Sequence, residues 1–353
     1  MKDFYKEAGV QTLADGTSMK GLLQWVDKTF AFRDPDEYGH VLLPIGFFAN
    51  VIHIGNNMGL AVSTDGVGTK LLVAEQLQKY DTIGIDCVAM NVNDLICVGA
   101  EPISFLDYIA VAEYDPVTIE QIAIGLHEGC KQARVSIPGG EIAQVKDLLH
   151  PKKTAFDLVG TAIGTVQKDS ILTGKEIEEG DVILGFPSTG LHSNGFTLAR
   201  KVLLEPSSHP SRDLLMELLT PTKIYVEAAM KLLNHFTVKG FANITGDGLL
   251  NILRLDSCVE YVIDNPLPVL PIFQTIQRIG CIPVEEMYKD FNMGLGFVAI
   301  VLQNEYEAIH TFLDQQGIDH AQIGTIQKSQ HPKLTVPSLS LVAEQGTIRK
   351  YKK

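Results

Sequence analysis

The segment Ser63-Thr64-Asp65-Gly66-Val67-Gly68-Thr69-Lys70 constrains the fold most. Leu60-Ala61-Val62 before it reads as the end of an apolar strand, and Leu71-Leu72-Val73-Ala74 after it opens a helical pattern. A strand therefore hands over to a helix through a turn that carries a carboxylate, glycines, a hydroxyl and a lysine. Glycine lets the backbone bend and approach a ligand, aspartate holds a hard cation, and lysine meets phosphate. The spacing is neither that of a Walker loop nor that of a Gly-x-Gly-x-x-Gly fingerprint. Two readings stay open from this segment alone: a plain glycine turn and a phosphate site.

Similar ingredients return along the chain. Apolar residues at 85, 88, 89, 92, 95, 96 and 99 predict a helix on which Asn91 and Asp94 share a face, with Asn93 close by. Such a stripe is either solvated surface or a site, and Asn and Asp in place of Lys and Glu favour a site. Asp107 lies inside the strand-like stretch 103–112, where a lone carboxylate is costly to bury unless it is paired or faces a ligand. Asp115-Pro116 predicts the start of a helix running to about Ala133. Val135-Ser136-Ile137 reads as a short strand running into Pro138-Gly139-Gly140-Glu141, a second meeting of strand, glycines and carboxylate. A strand at 182–186 enters Pro187-Ser188-Thr189-Gly190-Leu191-His192-Ser193-Asn194-Gly195, ahead of a predicted helix. That loop is either an ordinary polar loop or an anion site. Thr220-Pro221-Thr222 is expected to cap a helix through about Asn234, and Thr245-Gly246-Asp247-Gly248 forms a third strand–glycine–helix turn. The polar stretch 168–181 is the expected crossing between two domains, 1–168 and 169–353.

Length and charge narrow the function. A chain of 353 residues suits two domains, and a formal charge of -13 argues against general nucleic-acid binding. The basic end, Arg349-Lys350-Tyr351-Lys352-Lys353, reads as a solvated tail. The five cysteines form no Cys-x-x-Cys pair, so reduced thiols are expected. The N-terminus lacks the apolar region of a signal peptide, and no apolar run reaches the ~20 residues of a membrane span. A cytoplasmic protein without nucleic-acid or membrane partners is the expectation.

Taken in order and spacing, these blocks resemble the phosphoribosylformylglycinamidine cyclo-ligases, also called aminoimidazole-ribonucleotide synthetases. The resemblance runs over nearly the whole chain. It includes Tyr5-Lys6-Glu7-Ala8-Gly9-Val10, the 63–70 turn, the block from Asp81 to Leu95, Gly99-Ala100-Glu101-Pro102, Phe105-Leu106-Asp107-Tyr108, Gly139-Gly140-Glu141, His192-Ser193-Asn194-Gly195, Leu219-Thr220-Pro221-Thr222, Ile244-Thr245-Gly246 and Phe291-Asn292. It implies an α/β (α+β) fold of two domains, an N-terminal ATP-binding and dimerisation domain and a C-terminal α/β domain. The N-terminal domains of two copies pair into a β-barrel, with active sites at the homodimer interface. It implies conversion of formylglycinamidine ribonucleotide and ATP to aminoimidazole ribonucleotide, ADP and phosphate, with Mg²⁺, in purine biosynthesis.

Carried over motif by motif, the resemblance gives Asp65, Asp94 and Glu141 as Mg²⁺–triphosphate carboxylates and Lys70 as a direct phosphate contact. Thr64, Gly66, Gly68, Thr69, Asn91, Asn93 and Gly140 would border the ATP phosphates. Asp107, Ser188, Thr189, Gly190, Ser193 and Asn194 would hold the substrate. His192, Lys70 and Asp94 would be catalytic, with His192 giving a proton or hydrogen bond to the oxygen being phosphorylated; the other reading of His192 is a residue that orders its own loop. Three departures from the family pattern stand out. The N-terminal glycine segment appears as Leu43-Pro44-Ile45-Gly46-Phe47-Phe48-Ala49, Ile142 and Gln144 replace a hydroxyl and a carboxylate, and Asp247 replaces a glycine. Thiamine-monophosphate kinase, which shares the fold, and a non-catalytic nucleotide-binding dimer are the alternatives.

Overall fold

The computed structural model describes residues 17–149, 154–205 and 209–351, so the motif at Tyr5-Lys6-Glu7-Ala8-Gly9-Val10 lies outside the described residues. Strands β1 (Asn50–His53), β2 (Met58–Gly66), β3 (Glu101–Val111), β4 (Ser136–Gln144) and β5 (Phe156–Gln167) form one sheet in the order β1-β2-β5-β3-β4. All pairs are antiparallel except β3–β4. The β1–β2 hairpin closes where the Met58 N–H donates to the Gly55 carbonyl at 2.8 Å, with Asn56 and Asn57 both at positive φ. That is a primed turn, whose twist matches the strands it joins. The short strand expected at 135–137 continues through Pro138-Gly139-Gly140-Glu141, all within β4. β3 supplies a continuous parallel partner there, and Gly140 lets the backbone pass a side chain: a Cβ on it would lie 2.5 Å from Asp107 Oδ1.

A second sheet comprises β6 (Val182–Pro187), β7 (Val238–Asn243), β8 (Val259–Val262), β9 (Leu295–Val301), β10 (Ala321–Lys328), β11 (Lys333–Val336), β12 (Leu341–Glu344) and β13 (Thr347–Lys350). Its order is β13-β12-β11-β8-β10-β6-β9-β7. β7 and β9 are buried throughout; β9 is an unbroken apolar run, and Lys239 within β7 is paired with Asp181 at 2.9 Å. Rings close this core: Tyr225 stacks on Phe297 at 5.1 Å, and its hydroxyl donates to the Pro187 carbonyl at 3.0 Å. The helix expected from Thr220-Pro221-Thr222 begins only at Val226. Thr220 and Thr222 are held instead by groups of the first domain, described below. Among the described residues no helix is long and apolar enough to cross a membrane.

Helices Ile83–Cys97 and Pro116–Ala133 cover one face of the first sheet. Asp115 caps the second of these, accepting from the N–H groups of Val117 and Thr118. The helices touch backbone to backbone, since a Cβ on Gly84 would lie 2.2 Å from the Leu126 nitrogen. The periodicity over 85–99 predicted an amphipathic helix, yet in Ile83–Cys97 Ile85 and Asp94 alone escape full burial. β2 and β5 cover one side of it; β7 and helix Val226–His235 of the second domain cover another. Its polar stripe therefore faces a domain boundary.

Candidate active site

The strand registers set out the first part of the site. Asp65 at the end of β2, Gly160 on β5, Asp107 on β3 and Gly140 on β4 are successive partners in one row. Cross-strand partners point to the same face, so Asp65 and Asp107 stand on the helix-covered face, two strands or about 10 Å apart. Gly160 between them leaves room for Asn91: a Cβ there would lie 2.8 Å from the Asn91 amide nitrogen. Asn91 donates to the carbonyls of Cys87, one turn back, and Asp65, at 2.9 and 3.1 Å. Its Oδ1 is buried without a donor. The registers also separate residues that were expected together. Thr64 and Glu141 occupy neighbouring positions, pairing with Thr161 and Tyr108, and so face away from Asp65 and Asp107. A period of two along a strand forces that result.

Beyond Asp65 the 63–70 turn changes character. Gly68 adopts φ +70 and opens a short 3₁₀ turn, as a glycine can without strain. Thr69 then meets Thr197 of the second domain, Oγ1 to Oγ1, at 3.1 Å. Lys70 is fully buried, and its ammonium donates to Asp86 Oδ1 at 2.8 Å, the Thr220 carbonyl at 2.7 Å and the His192 carbonyl at 3.0 Å. Three donors are matched by three acceptors, so the expected direct phosphate contact is not available to it. Burial lowers the Lys70 pKa and Asp86 opposes the shift. The same Asp86 Oδ1 accepts from the Thr222 N–H and hydroxyl at 2.8 and 2.6 Å. Asn93 likewise faces the backbone of the second domain, donating to the Lys223 carbonyl and accepting from the Tyr225 N–H, both at 2.9 Å. The sequence placed it at phosphate; the structure makes it a clamp.

The 188–195 loop is knit mainly inward. Ser188 donates to Asn292 Oδ1, and the other arm of that amide donates to the Gly190 carbonyl, each at 2.9 Å. Ser193 meets the Thr222 hydroxyl at 3.2 Å. His192 is buried at φ +63, and its Nε2 accepts from the Thr189 N–H at 3.3 Å. Burial, with Lys70 and Lys223 adding, drives its pKa down to about 3. A neutral, buried imidazole whose carbonyl holds Lys70 suits a residue that orders its own loop, the second of the two readings of His192. Thr189 is exposed, and Asn194 is half-buried, its amide 3.9 Å from Met90 Sδ.

Asp94 faces the domain boundary under different conditions. Asn243 at the end of β7 donates to its Oδ1 at 2.8 Å. Burial raises the Asp94 pKa to about 7; Asn243 and Arg254 oppose the rise and the charge of Asp65 adds to it. Burial also raises the pKa of Asp65, offset by the Gly66 N–H on its Oδ1 at 2.7 Å. Asp94, whose proton affinity Asp65 raises further, lies one turn from the donor-less Asn91 Oδ1, and such oxygen-only groups suit a hard divalent cation. Glu141 is not brought into it: among the described residues Asp65, Asp94 and Glu141 do not bring three ligand atoms within 4.8 Å of one another. Next to Asp107, a cavity of about 520 Å³ opens between β3 and helix Pro116–Ala133, lined by Ile109, Leu126, His127, Cys130 and Ile142.

Sequence reasoning missed Asp86, Thr222, Asn243, Asn292 and Arg254. Asp86 lay unremarked inside the 81–95 block, and a lysine sixteen residues before it gives no sign of contact. Arg254 donates to the Gly46 and Phe47 carbonyls at 3.0 and 2.6 Å and sits 4.1 Å over the Phe48 ring. The glycine-poor departure at 43–49 is thus held against the second domain. Asp247 is exposed, while the tight position beside it is Gly248, where a Cβ would meet the Tyr288 carbonyl at 2.1 Å.

Two family models match the chain: AIR synthase related protein, N-terminal domain, over residues 48–166, and AIR synthase related protein, C-terminal domain, over 178–337. Phosphoribosylformylglycinamidine cyclo-ligase of Thermococcus kodakarensis is 46% identical over 307 residues, 86% of this chain and 89% of the relative. The enzyme of the same name from Pyrococcus furiosus is 42% identical over 94% of this chain and 97% of its own. Among solved structures, thiamine-monophosphate kinase from Aquifex aeolicus superposes with a TM-score of 0.61 at 14% identity, covering 94% of this chain and 97% of that one. A HypE–HypF complex also gives 0.61, at 19% identity, covering 93% of this chain and 99% of that one. At such identities the structural likeness establishes the two-domain fold alone.

Proposed function

The chain belongs to the AIR synthase related family, and from that premise we propose that it is a phosphoribosylformylglycinamidine cyclo-ligase. It closes 5-aminoimidazole ribonucleotide from formylglycinamidine ribonucleotide, using ATP, in purine biosynthesis. The observation that carries this reading is 40–46% identity to cyclo-ligases over 86–94% of the chain. Thiamine-monophosphate kinase shares the fold at 14–20% identity.

The reaction has a clear physical difficulty. A formyl amide carbon is a poor electrophile and its oxygen a poor leaving group. When the γ-phosphoryl passes from ADP's terminal oxygen to the formyl oxygen, that oxygen becomes part of a phosphate. The ring-forming nitrogen then bonds to the carbon, the C–O bond breaks, and inorganic phosphate leaves. Positioning favours the second step, because attack is intramolecular. Bound Mg²⁺ would supply charge neutralisation at the triphosphate, held by Asp65 and Asp94. Asn91, Gly66 and Gly68 border the phosphate path. The apolar cavity beside Asp107 has the size and lining for a nucleobase, and Thr189 and Asn194 offer polar contacts to the ribonucleotide. Lys70 and His192 act as positioning residues: they fix the 188–195 loop against the first domain.

Two expectations from the resemblance join the proposal. We place the division between domains at 168/169. The outer face of the first sheet carries half-exposed Leu60, Val62, Leu106 and Ile163, with Tyr108 41% exposed, and a second copy would cover it, bringing Glu141 and Thr64 to the interface. Sedimentation that finds a monomer at assay concentrations would remove this pairing. For the activity, purified protein is mixed with Mg²⁺-ATP and formylglycinamidine ribonucleotide. Aminoimidazole ribonucleotide and ADP should form in equal amounts. ATP turnover with thiamine monophosphate in its place, or folded protein that yields neither product, rejects the reading.

A further inference from the structure

In the second domain, where His320 lies 6.5 Å from the Phe186 ring of β6, three side chains that the cyclo-ligase chemistry does not use converge. His310 and Asp314 lie four residues apart on helix Tyr306–Gln315, and therefore on one face of it. His320 precedes β10 and reaches back to them. One ring nitrogen from each histidine and one carboxylate oxygen of Asp314 lie within 4.8 Å of one another. His310 Nδ1 and His320 Nε2 are 2.9 Å apart, and His310 Nε2 is 3.6 Å from Asp314 Oδ2.

The hydrogen bonds fix what these atoms offer. His320 Nδ1 is 2.8 Å from the Ile318 carbonyl, which can only accept, so Nδ1 carries the proton and Nε2 presents a lone pair. An imidazole whose far nitrogen is anchored to a backbone carbonyl is the usual form of a metal-ligating histidine. His310 is oriented as well, with its ring parallel to Tyr306 at 6.0 Å, while Phe186 lies 6.5 Å from His320. With His320 Nε2 as acceptor, the proton between the rings belongs to His310 Nδ1. A cation taking both nitrogens needs that proton to move to His310 Nε2, beside the Asp314 carboxylate. No proton need leave the site. Glu307, one turn earlier on the helix, and Asp319, next to His320, add negative charge nearby.

We propose that His310, Asp314 and His320 bind one divalent transition-metal ion of the zinc class, tying helix Tyr306–Gln315 to the start of β10. Two imidazoles and one carboxylate, with open positions for water, match the donor set such ions take and differ from the all-oxygen set at Asp65 and Asp94.

The test uses untagged full-length protein titrated with Zn²⁺ by calorimetry, with Co²⁺ as a spectroscopic probe of geometry. One equivalent should bind, with a tetrahedral Co²⁺ spectrum that Zn²⁺ abolishes. His320→Gln should weaken Zn²⁺ binding at least about tenfold. His310→Gln and Asp314→Asn, whose native side chains are 44% and 62% exposed, provide the same reading in variants that keep the fold. Asp94→Asn should leave Zn²⁺ binding unchanged. Absence of saturable binding, or binding that persists in these three variants, overturns the proposal.

Discussion

Helix Ile83–Cys97 carries two aspartates, two turns apart, that live in opposite electrostatic worlds. Asp86 is fully buried and receives an ammonium and a threonine at one oxygen. Asp94 receives one neutral amide, and burial lifts its pKa to about 7. The first is an anion whose counter-charge is built into the chain. The second is an anion the chain leaves short of counter-charge, which is the condition a cation-binding group needs. Sequence context hardly distinguishes them, since both sit among apolar residues on one helix; what differs is that Lys70 of the first domain reaches Asp86, while Asp94 meets the Asn243 amide.

The largest effect expected from this contrast is on folding. Lys70→Met leaves Asp86 as a lone buried anion and should lower stability by about 3–5 kcal/mol in urea unfolding. Adding Asp86→Asn should restore part of it. A loss of about 0–1 kcal/mol, as for an exposed pair, would break the comparison. At Asp94 the sign reverses. Its folded pKa of about 7 lies above the ordinary 3.8, so the folded state holds a proton that the unfolded state has released between those values. Its ionised form thus weighs against folding increasingly from about pH 4 to about pH 7 and levelly above. Asp94→Asn should therefore abolish most turnover while metal-free stability at pH 8 holds or rises, with that gain absent near pH 4. A drop in stability at pH 8 would place Asp94 with Asp86. The smallest effect concerns Arg254, which bridges Asp94's surroundings to residues 46–48. Arg254→Ala should cost about 1 kcal/mol and speed limited proteolysis near Phe47, with unchanged cleavage removing its role as a clasp.

Local chemistry was legible in the sequence where it is settled locally. The Asp115-Pro116 helix start and the strand at 182–186 both follow from rules that span a few residues. The family was legible too, because motif order carries it. Side-chain destination was not. Lys70 follows glycines, as a phosphate-binding lysine does, yet its three acceptors come from positions 86, 192 and 220. His192 carries a reactive functional group, but burial removes its charge. Glu141 lies one residue from the Asp107–Gly140 row, and that single step turns it to the other face of the sheet.

The Lys70 ammonium also limits how such a chain can be recombined. Two of its acceptors are backbone carbonyls of the second domain, so exchanging that domain for one from another lineage preserves the junction only if the incoming loops present oxygens at the same two points. Chimaeras that match surface shape but lack those carbonyls would seal a cation into a dry boundary and would not assemble. The Lys70 nitrogen thus makes the two halves a matched pair, alongside the Asn93, Asp94 and Arg254 contacts that cross the same boundary.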